Sequence, residues 1–233
     1  MRTSNRREFV ITALGGVAAA ALLGACGGGG GGVDSASETS GTGSDTNADT
    51  CTLYPEETEG PFYLDLGLLR SDITDGVPGT PLSLSIRVVG ASDCTPIANA
   101  VVDVWHADAS GVYSGEASQG TAGETFLRGS QVSDADGQVT FQTVYPGWYS
   151  GRTTHIHFKV HLSASSEATS QIYFPESVTA AVYGASPYSA RGQKDTSNAA
   201  DSVANSGEGI PVLATVTASG AGYVATLTVG VGS

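Results

Sequence analysis

The chain has 233 residues, 40% of them hydrophobic and 14% charged, with 32 glycines and 9 prolines. That length fits one domain with room for a leader, and so much Gly and Pro beside so little charge favours short strands joined by turns over long helices. A formal net charge of −13, with no basic patch after the leader, excludes a nucleic-acid binder and suits a protein kept soluble outside the cytoplasm.

The leader comes first. Asn5-Arg6-Arg7-Glu8-Phe9-Val10 is a twin-arginine pattern, followed by an apolar stretch from Val10 to Leu23. That stretch is too short and too rich in small residues for a transmembrane helix. It ends in Leu23-Gly24-Ala25-Cys26, which resembles the lipobox of bacterial lipoproteins, where the cysteine carries the lipid anchor. Residues 1–26 are therefore expected to be a signal peptide, placing the protein outside the cytoplasm, attached to a membrane through Cys26. Residues 27–50, a Gly run followed by Ser, Thr, Gly and Asp, read as a flexible tether with a reach of roughly 25–30 Å. The folded domain is expected over 51–233. It contains Cys51 and Cys94, which would pair in an oxidising compartment or else remain as two buried thiols.

Strand signals dominate from residue 81. Leu82 to Val88 alternates apolar and polar with period two, and Ala100 to Trp105 reads as a second strand. The turn Asp134-Ala135-Asp136-Gly137 precedes a strand from Gln138 to Val144. Thr154 to Leu162 is another, and Val212–Thr217 with Tyr223–Val229 suggests a closing hairpin around Ser219-Gly220-Ala221-Gly222. Short strands at this spacing predict an all-β fold, an antiparallel β-sandwich. Residues 164–210 carry no clear periodicity, so long loops are expected there, covering one end of the sandwich.

The chemistry centres on His155-Ile156-His157. Strand side chains two apart share a face, so both imidazoles can reach one metal while Ile156 packs behind. His161 falls on the same face further along and reads equally well as surface decoration. Upstream, the Pro146-Gly147 turn leads through Trp148 to Tyr149, and Tyr113 lies two places after Gly111. Two phenolates and two neutral imidazoles suit a hard ferric ion, whereas structural zinc usually takes thiolates.

These residues sit in motifs that resemble one family, the intradiol ring-cleavage dioxygenases. Thr58-Glu59-Gly60-Pro61-Phe62-Tyr63 is similar to its opening segment. Val104-Trp105-His106-Ala107-Asp108 with Gly111-Val112-Tyr113-Ser114 resembles a second motif, and Phe126-Leu127-Arg128-Gly129 with Asp134, Asp136 and Gly137 a third. Pro146-Gly147-Trp148-Tyr149 and Arg152-Thr153-Thr154-His155-Ile156-His157-Phe158 resemble its metal-site segment, and Gln171 with Tyr173-Phe174-Pro175 follows. The resemblance runs from about residue 51 to 178. It implies a β-sandwich whose long loops carry a non-haem Fe(III) held by Tyr113, Tyr149, His155 and His157. Arg152 and Gln171 match the family's active-site arginine and glutamine.

The chain lacks the helical N-terminal region of the catechol 1,2-dioxygenase branch. It looks closer to the protocatechuate 3,4-dioxygenase branch in a short, secreted form, with a trimmed link from Tyr149 to His155 and Ala107 where secreted relatives have cysteine. By this resemblance the substrate is a small aromatic diol, opened by O2 between its hydroxylated carbons to a muconate-type diacid. Tyr149 would leave the metal and take a substrate proton, Arg152 would stabilise developing negative charge, and Gln171 would add a hydrogen bond. Two other readings compete: a catalytically inactive exported β-sandwich binding module, and a hydrolase using the same cluster with zinc.

Overall fold

A computed structural model describes residues 51, 53–163, 166–206 and 212–232. The expected signal peptide and the whole of the tether lie outside these residues, so the twin-arginine motif, Cys26 and the tether's course are not described. Among the described residues the strands are β1 (Pro81–Gly90), β2 (Val101–Trp105), β3 (Arg128–Val132), β4 (Gln138–Val144), β5 (His155–Ser163), β6 (Ser166–Tyr173), β7 (Thr215–Ser219) and β8 (Gly222–Val231), with one α-helix, α1 (Glu176–Tyr183).

They form two four-stranded sheets, β4-β1-β8-β7 and β3-β2-β5-β6. The sandwich expected from the strand periodicity is what forms. β1 shows the cause: Leu82, Leu84, Ile86 and Val88 turn inward and are buried, while the intervening residues are only partly covered. They meet Val102, Val104, Ile156, Phe158 and Val160 from the facing sheet in one apolar cluster. One pairing departs from the antiparallel expectation: β1 and β8 run parallel, Leu84 opposite Ala225. A parallel neighbour needs a long crossover, and here most of the domain lies between the two strands.

The segment expected to be long loops, residues 164–210, instead contains β6 and α1. β6 hides from periodicity because its first half is an exposed, polar sheet edge and only Ser170–Tyr173 are buried. It is defined by its antiparallel pairing with β5. α1 has eight residues, of which Thr179, Val182 and Tyr183 are buried, too short for a helical repeat to stand out. β3, rich in polar residues and glycine, likewise carries no alternation. The closing hairpin turns at Gly220 and Ala221 as expected, its first strand beginning at Thr215, three residues later than expected.

The outer face of the β5 sheet is covered by the chain's own opening segment. Glu57 N–H donates to the Thr169 carbonyl at 3.0 Å, and Tyr54 Oη donates to the Gln171 carbonyl at 2.9 Å. Lys159 pairs with Glu59 and lies over the Tyr63 ring. β5 is therefore buried on both faces at its start, with Ile156 in the sandwich core and both histidines on the other side. Cys51 and Cys94 lie at disulfide distance, with Cα atoms 5.2 Å apart, at the beginning of that covering segment.

Candidate metal centre

His155 and His157 point from the same face of β5, with ring centroids 4.8 Å apart. His155 Nδ1 lies 2.6 Å from the Thr153 carbonyl oxygen. A carbonyl cannot donate, so Nδ1 carries the ring proton and Nε2 presents its lone pair. Two phenol oxygens face that lone pair, Tyr149 at 3.1 Å and Tyr113 at 3.4 Å. The four residues expected from the sequence as metal ligands are thus gathered in one place.

The loops that deliver the tyrosines are locked against each other. Gly111, at φ +80°, packs so closely on the Trp148 carbonyl that a Cβ would lie 2.1 Å from its oxygen. Asp108 organises the first loop: its carboxylate accepts from the Ser110 and Val112 amides at 2.8 and 2.9 Å. Phe62 stacks on Tyr113 at 4.4 Å between centroids, so the opening segment walls the centre on that side.

Register explains the rest. Trp105, His157 and Gln171 are direct cross-strand neighbours on β2, β5 and β6. The Trp105 indole stacks nearly parallel to the His157 imidazole, 5.0 Å between centroids. Arg152 reaches in from the loop before β5. Its Nη2 donates to Gln171 Oε1 at 2.6 Å, its Nη1 lies 3.5 Å from Tyr149 Oη, and its Nε donates to Asp201 Oδ2 at 2.8 Å. Gln171 in turn donates from Nε2 to the Thr58 carbonyl at 3.1 Å. Its amide therefore braces the arginine and the opening segment.

Burial governs the electrostatics. It pushes both histidines down, His155 to about 3, so they are neutral ligand-type imidazoles. It pushes the Tyr113 hydroxyl up, and also that of Tyr149, where the Arg152 charge opposes it. Among the described residues no three His, Cys, Asp or Glu side chains gather as a metal site; the cluster is built from phenols and imidazoles.

This donor set fits a metal ion. Ligand atoms bound at about 2.1 Å and at near-right or slightly wider angles lie roughly 3.0–3.4 Å apart, the separations seen around His155 Nε2. His157 Nδ1 is buried with no hydrogen-bond partner among the described residues, so the ring is held by packing. Phenolate and imidazole donors together suit a hard, imidazole-accepting ion such as Fe(III).

Two neighbours of the centre escaped sequence reading. Asp201 sits in a Ser/Ala/Asn-rich stretch without periodicity, and Glu57 has nothing local to mark it. The motif residue His106 lies away from the cluster, its Nε2 2.7 Å from Thr143 Oγ1, and burial lowers its pKa to about 4. His161 is half-buried and pairs with Asp103 at 2.9 Å instead of joining the centre.

Comparison with known proteins bears on the family of the domain. A family model described as "Dioxygenase" matches residues 58–185. Catechol 1,2-dioxygenase 1 of Acinetobacter lwoffii is 30% identical over 140 residues, covering 50% of this chain and 45% of that protein. The protocatechuate 3,4-dioxygenase beta chain of Burkholderia cepacia is 33% identical over 135 residues, covering 53% and 56%. The chain thus spans about half the length of the curated relatives it matches. The solved structure of an intradiol ring-cleavage dioxygenase from Tetranychus urticae is 31% identical, with a TM-score of 0.72 over 78% of this chain and 95% of that one. The sandwich, the gathered phenols and imidazoles and these matches lead to one assignment: the chain belongs to the intradiol ring-cleavage dioxygenase family.

Proposed function

We infer that the domain holds ferric iron on Tyr113, Tyr149, His155 and His157. On this reading it cleaves catechol-type rings with O2 between the two hydroxyl-bearing carbons and releases muconate-type diacids. The observation that carries the reading is the convergence of two phenol oxygens on the His155 lone pair, at 3.1 and 3.4 Å. Bound Fe(III) would supply Lewis acidity and a template for a bidentate diol.

The protein's own groups divide the remaining work. Tyr149 is half-buried while Tyr113 is sealed under Phe62, so Tyr149, held as phenolate when iron is bound, would be the ligand free to move aside and accept a proton from the arriving diol. Arg152 Nη1 already faces the Tyr149 oxygen, and its permanent charge would stabilise negative charge developing there. Gln171 acts by fixing Arg152.

The test is to give the iron-loaded domain catechol under isotopically labelled O2. A ring-opened diacid carrying both oxygen atoms supports the reading. Unchanged catechol, with iron demonstrably bound, contradicts it.

Export by the twin-arginine route and anchoring at Cys26 rest on the leader motifs alone and form part of the same proposal. Labelling the full chain with a radioactive fatty acid tests it: the label should appear on the protein and vanish in Cys26→Ser. An unlabelled wild-type protein would refute the anchor.

A further inference from the structure

The Arg152 guanidinium is held from three directions, and one of its partners lies outside every motif in the chain. Asp201 is fully buried at the end of the short turn Asn198–Ala200. Its Oδ2 accepts from Arg152 Nε at 2.8 Å and from the Thr153 amide at 2.7 Å. Its Oδ1 accepts from the Val203 and Ala204 amides at 2.8 and 3.1 Å. Burial opposes the charge on this carboxylate, but the Thr153 and Ala204 amides and Arg152 outweigh it and hold its pKa below the ordinary range.

The platform carrying Asp201 is fixed without help from Arg152. Asn198 accepts from Thr153 Oγ1 at 2.6 Å and donates to the Phe174 carbonyl at 2.8 Å. Lys194, buried to a similar degree, donates to the same Thr153 hydroxyl and to Glu176. A rigid carboxylate thus meets Arg152 at Nε, the atom that sets the direction of the planar fork. With Nε on Asp201 and Nη2 on Gln171, Nη1 is left pointing at the Tyr149 oxygen. Thr153, whose N–H donates to Asp201, also supplies the carbonyl that orients His155.

We propose that Asp201 is a positioning residue: it aims the Arg152 guanidinium at the Tyr149 oxygen and steadies Thr153, the residue whose carbonyl orients His155. This rests on the dioxygenase reading for its kinetic consequence and on geometry alone for the contact. Asp201 also caps its own turn, so a fall in stability on mutation would not distinguish the two roles.

The experiment combines iron-loaded kinetics with a metal-free spectrum. Wild type, Asp201→Asn, Arg152→Ala and the double variant are compared for turnover of catechol, and arginine Nε–H signals are recorded for metal-free wild type and Asp201→Asn. Asp201→Asn should lower kcat by about 10- to 100-fold with little change in KM, and the double variant should be no slower than Arg152→Ala. The Arg152 Nε–H signal should be protected from exchange in wild type and lost in Asp201→Asn. Unchanged kcat in Asp201→Asn, multiplying losses, or an unaltered Nε–H signal overturns the proposal.

If Asp201→Asn does not fold, Arg152→Ala supplied with guanidinium ion takes its place. Recovery of activity supports a fixed carboxylate cradle, and no recovery overturns it. A wild type that binds iron but leaves catechol intact sinks the dioxygenase reading, while the Nε–H comparison still decides the Asp201–Arg152 contact.

Discussion

The amide of Gly147 donates to the carbonyl of Asp108 at 3.1 Å, and a Cβ at position 147 would lie 2.1 Å from that same oxygen. Gly111 makes the reciprocal approach to the Trp148 carbonyl. Each glycine stands two residues before a tyrosine of the centre, so the interlocked backbones set the spacing of the two phenols. Gly147→Ala should force the loops apart. The expected outcome is a destabilisation of about 1–3 kcal/mol together with fewer iron atoms retained per chain, read by denaturant unfolding and metal analysis. Wild-type stability with full iron content would show that the interlock is not needed.

Tyr113 separates a metal centre from a packed aromatic cluster. Tyr113→Phe removes one oxygen and keeps the stack on Phe62. As a packing change it should cost only about 0.5–1.5 kcal/mol. As the loss of a ligand it should abolish iron retention after dialysis. Undiminished iron in a folded Tyr113→Phe protein would remove this residue from the centre.

Glu57, which is not among the proposed ligands, gives the pH dependence a handle beside the centre. Burial raises its pKa from the ordinary 4.5 to about 7, against the Tyr173 hydrogen bond and the Arg152 charge, with Asp201 adding to the rise. Because the folded value is the higher one, the folded protein binds more protons than the unfolded chain between these two pH values. The contribution of Glu57 to stability is therefore full below the lower value and is lost as pH rises through the upper one. Thermal unfolding across that range should show Glu57→Gln gaining on wild type as pH rises. Parallel curves for the two proteins would contradict the assignment.

A bridge between Cys51 and Cys94, which lie at disulfide distance, would close a loop spanning 43 positions of sequence separation. The chain-entropy relation gives such a closure about 4 kcal/mol. Cys94→Ser should still fold, because β1 and its neighbours do not depend on the bridge, but should unfold at lower denaturant concentration by up to that amount. A midpoint equal to that of wild type would show that the bridge contributes nothing.

Much of this was legible in the sequence because it rests on short-range geometry. Period-two alternation marks β1, β4 and β5, and the two-residue spacing of His155 and His157 puts them on one face whatever the surrounding fold. The tyrosines were legible through their glycine turns and the family resemblance. Asp201 and Glu57 were not, because each meets the centre only through tertiary contacts: Asp201 is 49 residues from Arg152, and Glu57 is 116 from Tyr173. β6 and β3 escaped for a related reason, since a polar strand is defined by its partner's hydrogen bonds and has no apolar face of its own to announce it.

On the proposed reading, two phenolates and two imidazoles hold ferric iron open to a diol. The most direct measurement is the visible absorption spectrum of the domain loaded with Fe(III), before and after catechol is added without oxygen. A broad tyrosinate-to-iron band that moves to longer wavelength with catechol is the predicted result. A protein that stays colourless after loading with iron has no iron–tyrosinate centre, and the dioxygenase reading falls with it.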